Sequence, residues 1–346
     1  MPDEDPERPI SSSADGDEDE DGEADGQGLG NNDDSDDDDD DDDDGSDEMG
    51  ESVGSAKRKD RRKFLRPLPP WLEEPFKSHV EESSASHRDE HGRPPLYFKN
   101  NSFFFPQPST IFLLRRQHVS PQLLYNPRFF LWDPEPLCPL GIPCPNCNKP
   151  LLRHSVIPRP RRVVDLDSRF WIIGYRYKCR QCVNPKTGKF GTLTFRSWNP
   201  RILAVLPPYL AKEFPAKLTH RSGISNAVFS FMRSCFQNGM GSKQFADALR
   251  VQHLLHFDYL HLQYLEFLSE RTLASWAGEK YKSFLAYHDR SPDGPHGFVP
   301  SAQWLRDLYD NFIEDHRPDF NQHMGMLTAE VAAIDHSHKV HFLFSQ

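Results

Sequence analysis

Between residues 138 and 200 the apolar positions come in short β-rich runs, and beyond 200 they recur at helical spacing. The strongest run, Phe170-Trp171-Ile172-Ile173-Gly174-Tyr175-Arg176-Tyr177-Lys178, is β-branched and aromatic and leads straight into Cys179. Val163 to Leu166 before it, and Phe190 to Phe195 after it, predict further strands. Farther on, Ile224, Val228, Phe231, Met232 and Cys235 fall at i, i+4, i+7, i+8 and i+11, the pattern of a helix that Gly239 would end. Ser242 then caps a short helix carrying Phe245, Ala248 and Leu249. A longer helix follows with Phe257, Leu260, Tyr264, Phe267 and Leu268, extending past Trp276 to Phe284. Residues 289–300 read as a linker, and Ser301 as the cap of a helix bearing Trp304, Leu305, Leu308, Tyr309, Phe312 and Ile313. That helix must stop before Pro318. Val331 to Phe344 reads as a strand.

Upstream the pattern dissolves. Residues 65–137 are rich in proline and aromatics (Pro67, Pro69, Pro70, Trp71, Phe103, Phe104, Phe105, Trp132, Pro134) and predict an extended arm packed on a neighbouring domain. The class is therefore α+β, in five parts: a disordered acidic tail with a basic cluster (1–64), the arm (65–137), a small strand-rich zinc-ribbon-like domain (138–200), a helical region (201–288), and a linker, helix and strand (289–346).

Charge changes this picture at its start. Residues 1–51 hold 26 acidic side chains and one basic one, a net −25, including the unbroken run Asp36 to Asp44. Such a segment cannot bury enough apolar surface to offset its ordering entropy. The remaining residues hold 26 acidic and 40 basic side chains, a net +14, so the body is basic although the whole chain is −11. A basic body suits a polyanion, while the tail can solubilise the chain or engage basic proteins. The cluster Lys57, Arg58, Lys59, Arg61, Arg62, Lys63 reads as a nuclear import signal or a phosphate-binding patch, and a nuclear location is expected. No run approaches the ~18–20 apolar residues of a membrane span.

The chemistry concentrates in two Cys-x-x-Cys pairs, Cys144/Cys147 and Cys179/Cys182, separated by 31 residues. Four thiolates at the corners of a tetrahedron suit a structural zinc ion, with metal–sulfur bonds of about 2.3 Å and no open coordination position; a redox pair is the competing reading. The spacer exceeds the usual ~15–20 residues, so an extra hairpin is expected inside it. Cys138 reads as a buried thiol or a spare ligand, and Cys235 as core.

Basic residues crowd the cysteines: Arg153, Arg159, Arg161, Arg162, Arg169, Arg176, Lys178 and Arg180. They are either a solvated face or phosphate contacts, which would make binding to DNA strongly salt-dependent. Residues 222–252 have the outline of a helix-turn-helix whose second helix offers Lys243, Gln244, Asp247 and Arg250, although plain packing gives the same outline. His253, His256 and His261 do not share one helix face and read as core or surface histidines.

Several short motifs occur in a suggestive order: Cys144-Pro145-x-Cys147, Tyr175-x-Tyr177-x-Cys179-x-x-Cys182, Leu206-Pro207-Pro208, Phe214-Pro215, Leu218-Thr219-x-Arg221-Ser222-Gly223-Ile224 and Ile334-Asp335-His336-Ser337-x-Lys339. Over about residues 125–346 this resembles the cysteine-cluster domain of unknown function of fungal transposon-derived proteins, related to the Kyakuja–Dileera–Zisupton and Mutator-like transposases. The resemblance implies a zinc region preceding a ribonuclease-H-like catalytic domain, whose first metal-binding aspartate matches Asp335. Such domains work with two Mg2+ ions held by several carboxylates. Here 11 residues follow Asp335, so the resemblance implies a catalytic domain cut off after its first strand and no nuclease or strand-transfer activity. A DNA-binding protein is expected; a chromatin or protein-interaction module, or a fragment of an active transposase, stands beside it.

Overall fold

The computed structural model describes residues 67–326 except 117, 186–187, 220–221 and 275–280. The acidic tail, the Lys57–Lys63 cluster, Arg221, Trp276, Asp335 and the strand expected from Val331 lie outside the described residues. The helices are α1 (Pro70–Glu82), α2 (Pro95–Phe98), α3 (Thr110–Leu114), α4 (Pro121–Tyr125), α5 (Pro200–Val205), α6 (Pro208–Ala211), α7 (Asn226–Gln237), α8 (Ser242–Ala274), α9 (Ala302–Asp315) and α10 (Arg317–Met326). The strands are β1 (Arg128–Trp132), β2 (Leu152–Val156), β3 (Arg161–Val164), β4 (Arg169–Cys179), β5 (Leu193–Arg196), β6 (Ala216–Leu218) and β7 (Gly223–Ser225). The class is mixed α+β.

Every strand of this sheet is laid, directly or through one neighbour, on β4 or its partner β3. The amino-terminal half of β4 pairs in parallel with β1 (Phe129↔Trp171, Leu131↔Ile173) and antiparallel with β3 (Arg162↔Trp171). Its carboxy-terminal half pairs antiparallel with β2 and β5 (Val156↔Tyr175, Tyr177↔Phe195). Gly174 sits where the partners change. A Cβ there would come within 2.4 Å of the Trp198 ring and 2.6 Å of Ser197 Oγ, which is why an otherwise β-branched and aromatic strand carries a glycine.

The described residues of the stretch 65–137 do not form an extended arm. Pro69 and Pro70 sit at the start of α1, where a fixed φ and a missing N–H suit the first turn. Trp71, Leu72 and Phe76 of that helix are buried in one core with Phe129 to Trp132 of β1 and Phe170, Ile172 and Ile173 of β4. Burying side chains of this size contributes about 1.5–3 kcal/mol each, so the segment shares the core of residues 138–200 and those residues are not a separate small domain.

The helical half also differs in detail. Ile224 belongs to β7, and α7 begins after Ser225, whose Oγ accepts the Val228 N–H at 3.1 Å. Phe231 is exposed and not core. Gly239, at φ +85°, does end α7: its N–H reaches the Phe236 carbonyl and the Met240 N–H the Cys235 carbonyl, a paired C-terminal cap. The two helices expected after residue 242 are one helix, α8, of 33 described residues, and Phe284 lies outside it in a stretch that is not helical. Its cap is Gly241 and not Ser242: the Gly241 carbonyl accepts from Phe245 N–H, and Gln244 Oε1 reaches back to the Gly241 N–H at 3.0 Å. Ser301 caps α9 as expected, accepting from Trp304 N–H at 3.2 Å. A second core packs Val164, Ile224, Met232, Phe245, Leu249, Leu305 and Leu308.

Candidate metal centre and basic face

Each cysteine pair is set by its local backbone. In the first, Asn146 N–H points at Cys144 Sγ (3.5 Å) and Cys144 N–H reaches the Lys149 carbonyl (2.7 Å), with Asn148 in the left-handed region at φ +60° closing the turn. In the second, Gln181 N–H points at Cys179 Sγ (3.4 Å), and Gly191 N–H bonds the Cys182 carbonyl (2.8 Å). A Cβ on Gly191 would lie 2.8 Å from the Arg180 carbonyl, so a side chain there would force the knuckle apart. The hairpin that the long spacer called for is present as well: β3 and β4 pair antiparallel inside it, with β2 before them.

The four sulfurs meet within 4.8 Å of one another, with Cys144–Cys182 at 3.8 Å and Cys147–Cys179 at 3.6 Å. The edge of a tetrahedron with ~2.3 Å metal–sulfur bonds is about 3.8 Å, so the spacing fits a single bound ion. It is far too long for a disulfide, and all six cysteines are free thiols. The thiols push one another apart in acidity. The Lys149 N–H and the other thiols donate to Cys147 and pull it down to about 7, while burial and the hydrogen bonds its own S–H donates to the other sulfurs push Cys182 well up. Four adjacent thiolates need a cation between them. These four can hold a metal ion and, filling a tetrahedral set, leave no protein-free corner. Cys138 is buried but outside the cluster, and Cys235 packs at the margin of the second core.

The candidate polyanion contacts divide sharply. Arg153 Nη1 donates to Asp133 at 2.9 Å, and Arg161 is buried with its guanidinium on the Thr219 carbonyl. Arg162 lies over the Phe298 ring at 3.7 Å, and Arg169 bonds the carbonyls of Pro295 and His296. These are internal ties and not a surface. Arg159 is half-buried in the turn between β2 and β3. Arg176 and Lys178 alternate along the outer side of β4, and Arg180 continues the row, exposed, just past the strand. Arg196 of β5 stands directly opposite Arg176. Among the described residues none of Arg176, Lys178 and Arg180 has a carboxylate within ion-pair distance. Lys243, Gln244, Asp247 and Arg250 are exposed on the first turns of α8. His253 is buried, His256 exposed, and His261 stacks on Phe284 at 4.6 Å; among the described residues none joins a metal cluster.

Two features escaped the sequence. Asp133 is fully buried, with Arg88 Nη1 at 2.7 Å and Arg153 on Oδ2, and the Tyr177 hydroxyl on Oδ1 at 2.8 Å. Burial, then the nearby Asp133, pushes the Tyr177 and Tyr97 hydroxyls far above the ordinary range, so both remain donors. The other is a pair on the second knuckle: Phe190, 69% exposed, bridges across to exposed Val183. The sequence read Phe190 as the first position of a strand, with nothing to set it apart from aromatics that pack into a core.

Among the described residues no helix is long and apolar enough to cross a membrane. Neither a curated protein nor a solved structure matches the sequence. A family model does match, over residues 85–313, a span that takes in β1, the four cysteines and the basic row of β4. The chain belongs to that family, described as a domain of unknown function (DUF6729).

Proposed function

We propose that this chain is a DNA-binding module in which a zinc ion clamps the ends of β2, β4 and β5 and so holds a basic face in shape. One observation carries the reading: Arg176, Lys178 and Arg180 line one side of β4 and its end, and among the described residues none of the three has a carboxylate within ion-pair distance. Neighbouring cations along one side of a strand repel one another, and an anion laid over them relieves that repulsion. A phosphate backbone is such an anion, and the net +14 of the body supports it. Zinc is the ion that four thiolates in a tetrahedral set suit best, and its role here is structural because every corner is filled. In the same reading the motif order that resembles transposase-derived proteins makes this the part that grips DNA, and makes the nucleus its place of work. The module itself does no chemistry.

The test is duplex binding followed by fluorescence anisotropy across a salt series, using the full chain and one lacking residues 1–51. Replacing Arg176, Lys178 and Arg180 together by Ala should weaken binding and lower the log–log salt slope by about 3, roughly 0.9 for each lost phosphate contact. Arg161 and Arg162 are poor choices for this test because their substitution would disturb packing. Absence of binding at low salt with the tail removed, or an unchanged slope in a triple variant that melts like the parent, would overturn the proposal.

A further inference from the structure

Helix α8 is apolar on two opposite sides. One side, including Phe245, Leu249, Phe257 and Tyr264, is buried. On the other, Val251, Leu255, Asp258, Leu262 and Leu265 follow at intervals of four, three, four and three residues, with Tyr259 alongside. At 100° per residue these five positions fall within an arc of about 80°, and they run for about 21 Å along the helix. The 4-3-4-3 interval is the a/d seam of a coiled coil. Yet the four apolar side chains of this row, and Tyr259 beside it, are between 47% and 59% exposed. Scattered surface leucines need no explanation, but a continuous row at seam spacing marks a surface that another element covers.

Charge selects the occupant. With Leu255 and Leu262 at a, and Val251, Asp258 and Leu265 at d, the flanking e and g positions include Asp247 and Glu266. The seam and its flanks therefore hold three carboxylates and no Lys or Arg; Lys243 and Arg250 fall at c positions, off the seam. A second copy of α8 would place Asp258 in the same layer as its counterpart when parallel. When antiparallel in full overlap it would place the two in adjacent layers at the centre. Both arrangements are repulsive where the interface would be driest. The acidic flanks also disfavour an anionic bilayer.

We propose that this face of α8 docks an amphipathic helix of a different protein, apolar at its own a and d positions and basic at its centre and flanks, with one Lys or Arg meeting Asp258. The proposal does not use the basic face of β4 and stands whether or not that face binds DNA.

A synthetic peptide of about 21 residues, three heptads with leucine at a and d and lysine at the central d and the e and g positions, serves as the probe. Its twin carries glutamate for every lysine. Against the full chain, the lysine peptide should bind at least about tenfold tighter than the glutamate one, the scale of a few charge contacts around a buried centre. The double variant Leu255→Gln/Leu262→Gln, altered only at exposed positions, should melt like the parent and lose that binding. Asp258→Lys should shift the preference toward the glutamate peptide. Equal binding of both peptides, absence of binding, or binding indifferent to the leucine substitutions would overturn the proposal. So would sedimentation showing that the parent chain self-associates through these leucines, which would make a second copy the occupant.

Discussion

Asp133 shows how much of this fold hangs on single side chains. Its carboxylate is fully buried and takes hydrogen bonds from Arg88, Arg153 and the Tyr177 hydroxyl, while its own N–H is bonded to the Tyr97 hydroxyl. Arg88 also reaches the Tyr175 hydroxyl at 3.0 Å, so one cluster ties the turn after α1 to β1, β2 and β4. Burying such a set is not in itself strongly stabilising, but removing one member leaves an uncompensated charge. Asp133→Ala strands the Arg88 guanidinium, which is almost fully buried, and should cost about 3–5 kcal/mol. Chemical denaturation checks it: a midpoint within experimental error of the parent would refute the assignment, whereas Arg153→Ala, at the partly exposed end of the cluster, should cost clearly less.

At the scale of elements, the two knuckles act as the end-clamp of a sheet whose other end is already anchored. The amino-terminal half of β4 rests on β1 and α1 in the large core, while the carboxy-terminal half depends on β2, β5 and the four sulfurs. Structural zinc contributes on the order of 10 kcal/mol of folding free energy in small domains. With zinc in the proposed site, a strong chelator should release residues 142–151, 179–185 and 188–193 while α7, α8 and α9 stay protected, read by hydrogen exchange; uniform loosening, or none, would refute this division. What the sequence made legible follows the same logic. The cysteine pairs, β4, the Gly239 stop and the Ser301 cap are local signals, complete within a few residues. Proline and aromatic content hid α1 and β1, because in α1 the prolines occupy the one turn that tolerates them and in β1 the aromatics pack into a core assembled from distant segments. The Asp133 cluster was invisible for the same reason, its partners lying 20 to 45 residues away. The length of α8 was hidden by its two apolar faces, which blur a single 3.6-residue period.

For the molecule as a whole, the decisive joint is between the two cores, and it runs through Asp165 and His253. Asp165 follows β3; its carboxylate accepts from the Ser225 hydroxyl that caps α7 (2.7 Å) and approaches Arg128 of β1 at 3.5 Å. Its carbonyl lies 2.9 Å from His253 Nε2 on α8, and a carbonyl only accepts, so Nε2 carries the proton; Nδ1 is left as an acceptor 3.1 Å from the Tyr287 hydroxyl, whose single proton is shared with the Phe298 carbonyl at 3.3 Å. Burial, with Arg169 and His256 adding to it against Asp167 and the Asp165 carbonyl, holds His253 below the ordinary imidazole value. Above pH ~6.5 the ring is neutral in folded and unfolded chains alike and its titration contributes nothing. As pH falls below ~6.5 the unfolded chain takes up the proton first, and stability is lost down to the folded-state pKa, by at most about 1.4 kcal/mol per pH unit. Protonation of the cysteine ligands would also destabilise the fold in acid, so the test is a difference. His253→Gln, whose amide can still donate to Asp165, should melt less stably than the parent at pH 7.5 but lose less between pH 7.5 and 5.5. Parallel losses in the two proteins would show that the joint between the cores does not titrate.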